Sequence, residues 1–236
     1  MINLSELENM REHRDVKGLI NALKIADDDK IIESTLYFLG DLGDSQAVEP
    51  LIDFLKHDKW SIRKAAALSL GRIGDRRAVK PLINLLRDDY WHVREIAALS
   101  LGMIGDERAV DPIIQALEDG CVNVKCEIVD ALANLGDKKA VQPLTKIMKD
   151  DDYILRACTA ISLGKLGDDQ AVQSLVSALA DENFFVRVNA ANALGMIGGE
   201  SAIPYLEEAL RLSKGESEGF EKALKDAIIR IKSRTG

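Results

Sequence analysis

The feature that most constrains this chain is a glycine that returns every 31 residues, at Gly43, Gly74, Gly105, Gly136, Gly167 and Gly198. Other columns keep the same phase. Aspartate follows at Asp44, Asp75, Asp106, Asp137 and Asp168, with Gly199 in the sixth place. Alanine stands at Ala47, Ala78, Ala109, Ala140, Ala171 and Ala202, and proline at Pro50, Pro81, Pro112 and Pro143. A second glycine precedes the first by three residues at Gly40, Gly71, Gly102, Gly164 and Gly195, with Ala133 as the exception. No insertion breaks the register. A fixed period of this length means stacked supersecondary units.

Each column has a local cause. Glycine ends a helix by taking the left-handed conformation without steric cost. The aspartate after it accepts orphan amide protons and opens the next helix. Ala78, Val79, Leu82, Ile83 and Leu86 then form one apolar helical stripe, and Pro81 predicts a kink or a short opening turn before it. Past the loop at residues 88–91, Val93, Ala97, Leu101 and Ile104 form the buried stripe of a second helix. Gly71 and its equivalents lie near the end of that helix, where they predict close approach of a neighbour.

A hairpin of two short helices cannot bury both stripes alone, so neighbours must stack. The expected fold is an all-α, right-handed α-solenoid of six such hairpins, with about fifteen helices in one domain. Residues 1–42 should form an N-terminal cap and a degenerate repeat, with helices at 3–12, 15–26 and 30–42. Residues 43–197 should form five regular repeats. Residues 198–236 should hold a last repeat, a charged loop at 213–219 and a long cap helix at 217–233.

The run Gly-Asp-x-x-Ala-Val-x-Pro-Leu-Ile, followed by Val-Arg-x-x-Ala-Ala-x-x-Leu-Gly, resembles the HEAT-like repeats named for phycobilisome lyases. It is clearest at 74–83 (GDRRAVKPLI) and 93–102 (VREIAALSLG), and the likeness extends over nearly the whole chain. Designed proteins built from this repeat's consensus are similar as well. The resemblance implies an α-solenoid, and it spans lyases, regulators and adaptors alike. The deoxyhypusine hydroxylases of related architecture carry His-Glu pairs as metal ligands. Here His13, His57 and His92 are followed by Arg14, Asp58 and Val93, so no metal or other cofactor is expected.

Charge and cysteine content narrow the partners. A net charge of −8 disfavours nucleic acid, whose phosphate backbone needs a basic face. Cys121, Cys126 and Cys158 are odd in number and lack framework or metal spacing, which fits a reducing cytoplasm. No apolar run approaches the length of a membrane span, and the chain does not open on a charged-then-apolar leader, so neither membrane insertion nor secretion is expected.

Recurrent charges read as scaffold. Arg63, Arg94, Lys125, Arg156 and Arg187 follow loop acids at a constant distance. A catalytic acid–base array needs one asymmetric constellation, whereas a capping and inter-repeat hydrogen-bond network repeats. An enzyme is therefore not expected.

The variable columns are the candidates for recognition. On the proline helices, three offsets share one face, and the family resemblance places that face on the concave side. Its middle is basic, at Arg77, Lys80, Arg108, Lys139 and Lys146, which suits an acidic protein or peptide; an ordinary solvated face is the alternative. A loop column reads Trp60, Trp91, Val122, Tyr153 and Phe184, with Tyr90 and Phe185 beside it. These rings either anchor a partner or pack over the next repeat, and both can hold. On the other helix, outward offsets read Ala65, Leu68, Arg72; Ile96, Leu99, Met103; Glu127, Asp130, Asn134; Cys158, Ile161, Lys165; and Asn189, Asn192, Met196. Leu68, Ile96, Leu99 and Met103 would form an apolar convex patch, for which a second copy of the chain, giving a homodimer, is the candidate partner. A non-catalytic protein-binding scaffold is the expected function; the alternatives are an accessory that handles a bilin, as the lyase resemblance implies, and nucleic-acid binding through the basic stripe.

Overall fold

The computed structural model describes residues 2–213 and 217–235, and among them every regular element is helical. Two compact units divide the chain, Met1–Ala131 and Leu132–Gly236. The first contains α1 (Leu4–Glu12), α2 (Val16–Ile25), α3 (Asp29–Leu42), α4 (Val48–Phe54), α5 (Trp60–Ile73), α6 (Val79–Leu85), α7 (Trp91–Ile104) and α8 (Val110–Gln115). The division falls within α9 (Val122–Leu135). The second contains α10 (Val141–Ile147), α11 (Tyr153–Leu166), α12 (Val172–Ala178), α13 (Phe184–Ile197), α14 (Ile203–Leu212) and α15 (Glu218–Thr235). The all-α hairpin fold read from the period is the one observed. Of the charged loop expected at 213–219, residues 214–216 lie outside the described residues.

The repeat columns act as their chemistry requires. Gly43, Gly74, Gly105, Gly136 and Gly167 all take positive φ, from 69° to 74°. The aspartate after each accepts the amide two residues on, as Asp75 does from Arg77 at 2.9 Å and Asp168 from Gln170 at 2.9 Å. That bond fixes a 3₁₀ turn of three residues ahead of each proline helix. This is the opening turn that proline demanded, since Pro81 is the third residue of α6 and its missing amide falls among the unpaired N-terminal donors. Gly198 departs from its column. Its φ is −66°, and no side chain caps the turn after Gly199. Arg234 of α15 instead donates to the carbonyl of Gly198 at 2.8 Å and to that of Met196. The last helix thus satisfies carbonyls at the C-terminal end of α13, while the amides of the turn after Gly199 have no side-chain acceptor.

The long helices make the core. In the first unit α3 packs on α5 and α5 on α7; in the second α11 packs on α13 and α13 on α15. Leu36, Leu51, Ile62, Leu70, Leu82, Leu101 and Ile113 are fully buried in the first unit, as are Leu144, Leu155, Leu163, Leu175, Val186, Leu194 and Leu224 in the second. The spacing is set by small residues. A Cβ on Gly71 would lie 2.7 Å from Ser100 Cβ, and one on Gly195 would lie 2.9 Å from Ala227 Cα. Ser69 and Ser100 use the same proximity to donate their hydroxyls to the carbonyls of Leu36 and Ala67, at 2.8 and 2.9 Å.

The proline helices are spaced differently. α4, α6 and α8 meet their neighbours through the opening turns rather than along their lengths, and so do α10 and α12. Grooves remain between them, ≈ 700 Å³ between α6 and α8 and ≈ 550 Å³ between α10 and α12. Each unit therefore presents two faces, an outer one of proline helices that carries Arg77, Lys80, Arg108, Lys139 and Lys146, and an inner one of long helices that carries Leu68, Ile96, Leu99 and Met103.

Among the described residues, no helix is long and apolar enough to cross a membrane.

Candidate functional site

The hairpin loops are held by arginine. Arg63 sits one turn into α5, and its Nη1 donates to the carbonyls of His57 and Asp58 at 2.8 and 2.9 Å, closing its own loop. Its Nε and Nη2 reach the Asp88 carboxylate of the next loop at 2.7 and 2.8 Å. Arg94 repeats this with Asp119, and Arg156 with Asp181. Burial alone would raise the pKa of Asp88, Asp119 and Asp181, but the arginine bonds and a backbone amide pull each below its ordinary value. These carboxylates are thus fixed as anions. They are bound on both sides and serve as the staples between successive loops.

The outer face carries the polar column, and every residue in it is exposed, from Gln46 to Ser177. Two of its cations are nevertheless occupied. Arg77 bonds both oxygens of Asp75 and the carbonyl of Ser45, and Arg108 bonds Asp106 and the carbonyl of Arg76. Asp106 is held at about 2, first by the Arg108 guanidinium and then by the Arg108 amide. The Asp-x-Arg spacing made this visible in principle, since residues two apart across a cap are in reach. Lys80, Lys139 and Lys146 project outward without a carboxylate partner among the described residues.

The aromatic column lies at the N-terminal ends of the long helices. In the first unit Trp60 stacks on His92 at 4.9 Å and on Tyr90 at 6.0 Å, while Trp91 lies against His92 at 3.6 Å. Lys64 sits 5.5 Å above the Trp60 ring and Arg63 5.7 Å from that of Tyr90. The rings therefore pack from one repeat to the next, with Tyr90 still exposed. In the second unit Phe184 meets Phe185 edge-on at 5.5 Å, and Tyr153 and Phe185 are exposed.

The inner face holds apolar side chains in the open. Ala65, expected to point outward, is fully buried; Leu68, Ile96 and Leu99 are half-buried, and Met103 alone of that group is exposed. Their helices stand so close that each side chain is shielded by the next. The larger apolar surface is in the second unit, where Tyr153, Ile154, Ile161, Phe185 and Met196 are each 44–60 % exposed on α11 and α13. Ile161 and Met196 belonged to the outward columns, and Phe185 stood beside the aromatic one. Ile154 escaped notice because its column reads Ser61, His92 and Asn123 in other repeats. Among the described residues, no group of three or more His, Cys, Asp or Glu side chains could hold a metal ion.

A family model described as HEAT repeats matches residues 16–101, 79–160 and 144–218. Among solved structures, the chain is similar to one from the complex of CpcE and CpcF of phycocyanin lyase from Nostoc sp. PCC7120, with 25 % identity over 90 % of this chain and 94 % of that one, and a TM-score of 0.59. The YibA protein of E. coli gives 19 % identity over 98 % of this chain and 97 % of that one, with a TM-score of 0.60. An engineered protein gives 20 % identity over 96 % of this chain and 70 % of that one, also at 0.60. The last two likenesses concern the fold alone. No curated protein matches the sequence.

Proposed function

Since the chain belongs to the HEAT-repeat family, we propose that it is a non-catalytic scaffold that recognises a protein partner through the faces of its long helices. The observation that carries this reading is where apolar surface is left exposed. Ile154 and Ile161 share one face of α11 and Phe185 and Met196 one face of α13, Tyr153 is exposed at the start of α11, and Met103 holds on α7 the repeat position of Met196. Clustered exposed apolar side chains mark contact surfaces, and aromatic ones anchor them. The charged loop residues offer no competing chemistry, because Asp88, Asp119 and Asp181 are each committed to an arginine. The likeness to a chain from a two-protein complex supports the same reading.

The test is affinity capture from the native organism with wild type and with Ile161→Glu/Met196→Glu, both side chains being exposed enough to leave the fold intact. The partner band should be lost in the variant while the thermal melt is unchanged. Equal recovery contradicts the reading.

The likeness to the phycocyanin lyase complex also favours a second function, an accessory that handles a bilin. That function requires a visible absorption band on the protein after incubation with bilins; a flat spectrum excludes it.

A further inference from the structure

We infer that the inner face of the second unit receives an amphipathic helix whose apolar stripe is flanked by carboxylates. The inference rests on the scaffold reading and supplies the chemistry of the partner. Three observations on this face carry it.

The first is its length. On α13, Phe185 and Met196 are both exposed and stand three turns apart, which is about 16 Å at the rise of an α-helix. On α11, Ile154 and Ile161 run beside them two turns apart. A helix of about three turns covers that distance with apolar residues at its i, i+3/i+4 and i+7 positions.

The second is continuity. The Met196 sulfur lies 3.4 Å from the Cβ position of Gly164 on α11, and Phe184 Cζ lies 3.2 Å from that of Gly219 on α15. The side chains of one long helix therefore reach across to the next.

The third is charge. The chain as a whole carries −8, yet α11 and α13 contain no Asp or Glu at all. At the rim, Arg230 of α15 has its Cδ 3.6 Å from the Cβ position of Gly195, beside Met196. Lys222 stands one turn beyond Gly219, which abuts Phe184. Both cations are exposed; the same ridge of α15 also carries the exposed Glu218 and the half-buried Asp226, but α15 as a whole holds five Lys and Arg against three Asp and Glu, so the rim is cationic on balance. An apolar strip with a cationic rim matches carboxylates at the flanks of a bound helix.

The net charge makes the experiment sharp, because long-range attraction favours a cationic peptide and only the local face favours an anionic one. Three fluorescein-labelled peptides of about twelve residues would be titrated by anisotropy at low salt. One places Leu on a single helical face with Glu on both flanks. The second has Lys in place of every Glu, and the third is the Leu/Glu composition scrambled. The Leu/Glu peptide should bind saturably and at least about tenfold more tightly than the other two. Lys222→Glu/Arg230→Glu should remove that preference, and Ile161→Glu/Met196→Glu should remove binding. Preference for the Leu/Lys peptide overturns the inference, as does a Leu/Glu affinity that Lys222→Glu/Arg230→Glu leaves unchanged. So does the absence of saturable binding by any of the three. If Leu/Lys binding is abolished by Ile161→Glu/Met196→Glu, the acidic flank is wrong and the face survives as the binding surface. Failure of the scaffold reading itself appears separately, as partner capture indifferent to the face.

Discussion

Gly71 on α5 lies so near Ser100 on α7 that an added Cβ would be 2.7 Å from both the Cβ and the Oγ of the serine, and 2.8 Å from its Cα. Because the last of these is backbone, the collision cannot be relieved by rotating a side chain. Glycine there costs about 1 kcal/mol of helix propensity, and the structure retains it because the helices would otherwise separate. Gly71→Ala is therefore expected to lower stability by about 1–3 kcal/mol in urea denaturation despite its gain in propensity. Gly120→Ala is the control: nothing lies within 4 Å of that position and its φ is not positive, so it should be neutral or slightly stabilising.

Arg156 should matter more than any exposed arginine. Its side chain is only 8 % exposed and that of Asp181 12 %, and it also holds the carbonyls of Asp150 and Asp151. Arg156→Ala leaves a part-buried carboxylate and two loop carbonyls without their donor, and about 3 kcal/mol of stability should be lost. A double-mutant cycle with Asp181→Ala should return a clear coupling energy. Arg77→Ala, at an exposed pair, should change the melt little.

Acid should weaken the fold from a specific set of carboxylates. Asp106 titrates at about 2, and Asp75, Asp88, Asp119 and Asp181 also lie below the ordinary range. A carboxylate whose folded value is depressed stabilises the fold fully above its unfolded value of about 3.9, and that contribution disappears as the pH falls through the folded value. Urea midpoints should thus be flat from neutrality to about pH 5 and drop steeply between about pH 4 and 2. Asp106→Asn should start lower at pH 7 and fall less on acidification; an identical slope would contradict the role given to Asp106.

Within the inner face of the first unit, burial separates two neighbours. Leu99 is half-buried and Met103 is 46 % exposed. Leu99→Glu should cost about 1–3 kcal/mol, and Met103→Glu should stay within about 0.5 kcal/mol. A sedimentation test for pairing of copies is accordingly cleaner with Met103→Glu.

These contrasts separate what was legible in the sequence from what was not. The hairpins were legible because Gly74, Asp75 and Pro81 act on the backbone within a few residues of themselves. The loop staples were legible for a similar reason: Arg63 and Asp88 recur at a constant separation, and recurrence identified them as scaffold. The distance between successive long helices was not, because it is set by pairs such as Gly71 with Ser100 and Gly195 with Ala227, which lie on different helices. Within the basic stripe, the way Arg77 and Arg108 fold back onto Asp75 and Asp106 depends on side-chain geometry at each cap, which the column of charges alone does not display. The apolar surface of α11 and α13 was hidden by its columns, since Ile154 and Met196 have polar counterparts elsewhere and stand out only when neighbouring helices are seen together.

The most direct measurement is a footprint of the partner-bound protein that reads both faces in one sample. Met103 and Met196 report the inner faces through the oxidation rate of their thioethers, and Lys80 and Lys146 report the outer faces through acetylation. Partner binding should slow oxidation at Met196, with or without Met103, and leave both lysines as reactive as in the free chain. Protection of Lys80 and Lys146 with both methionines unprotected would contradict the account.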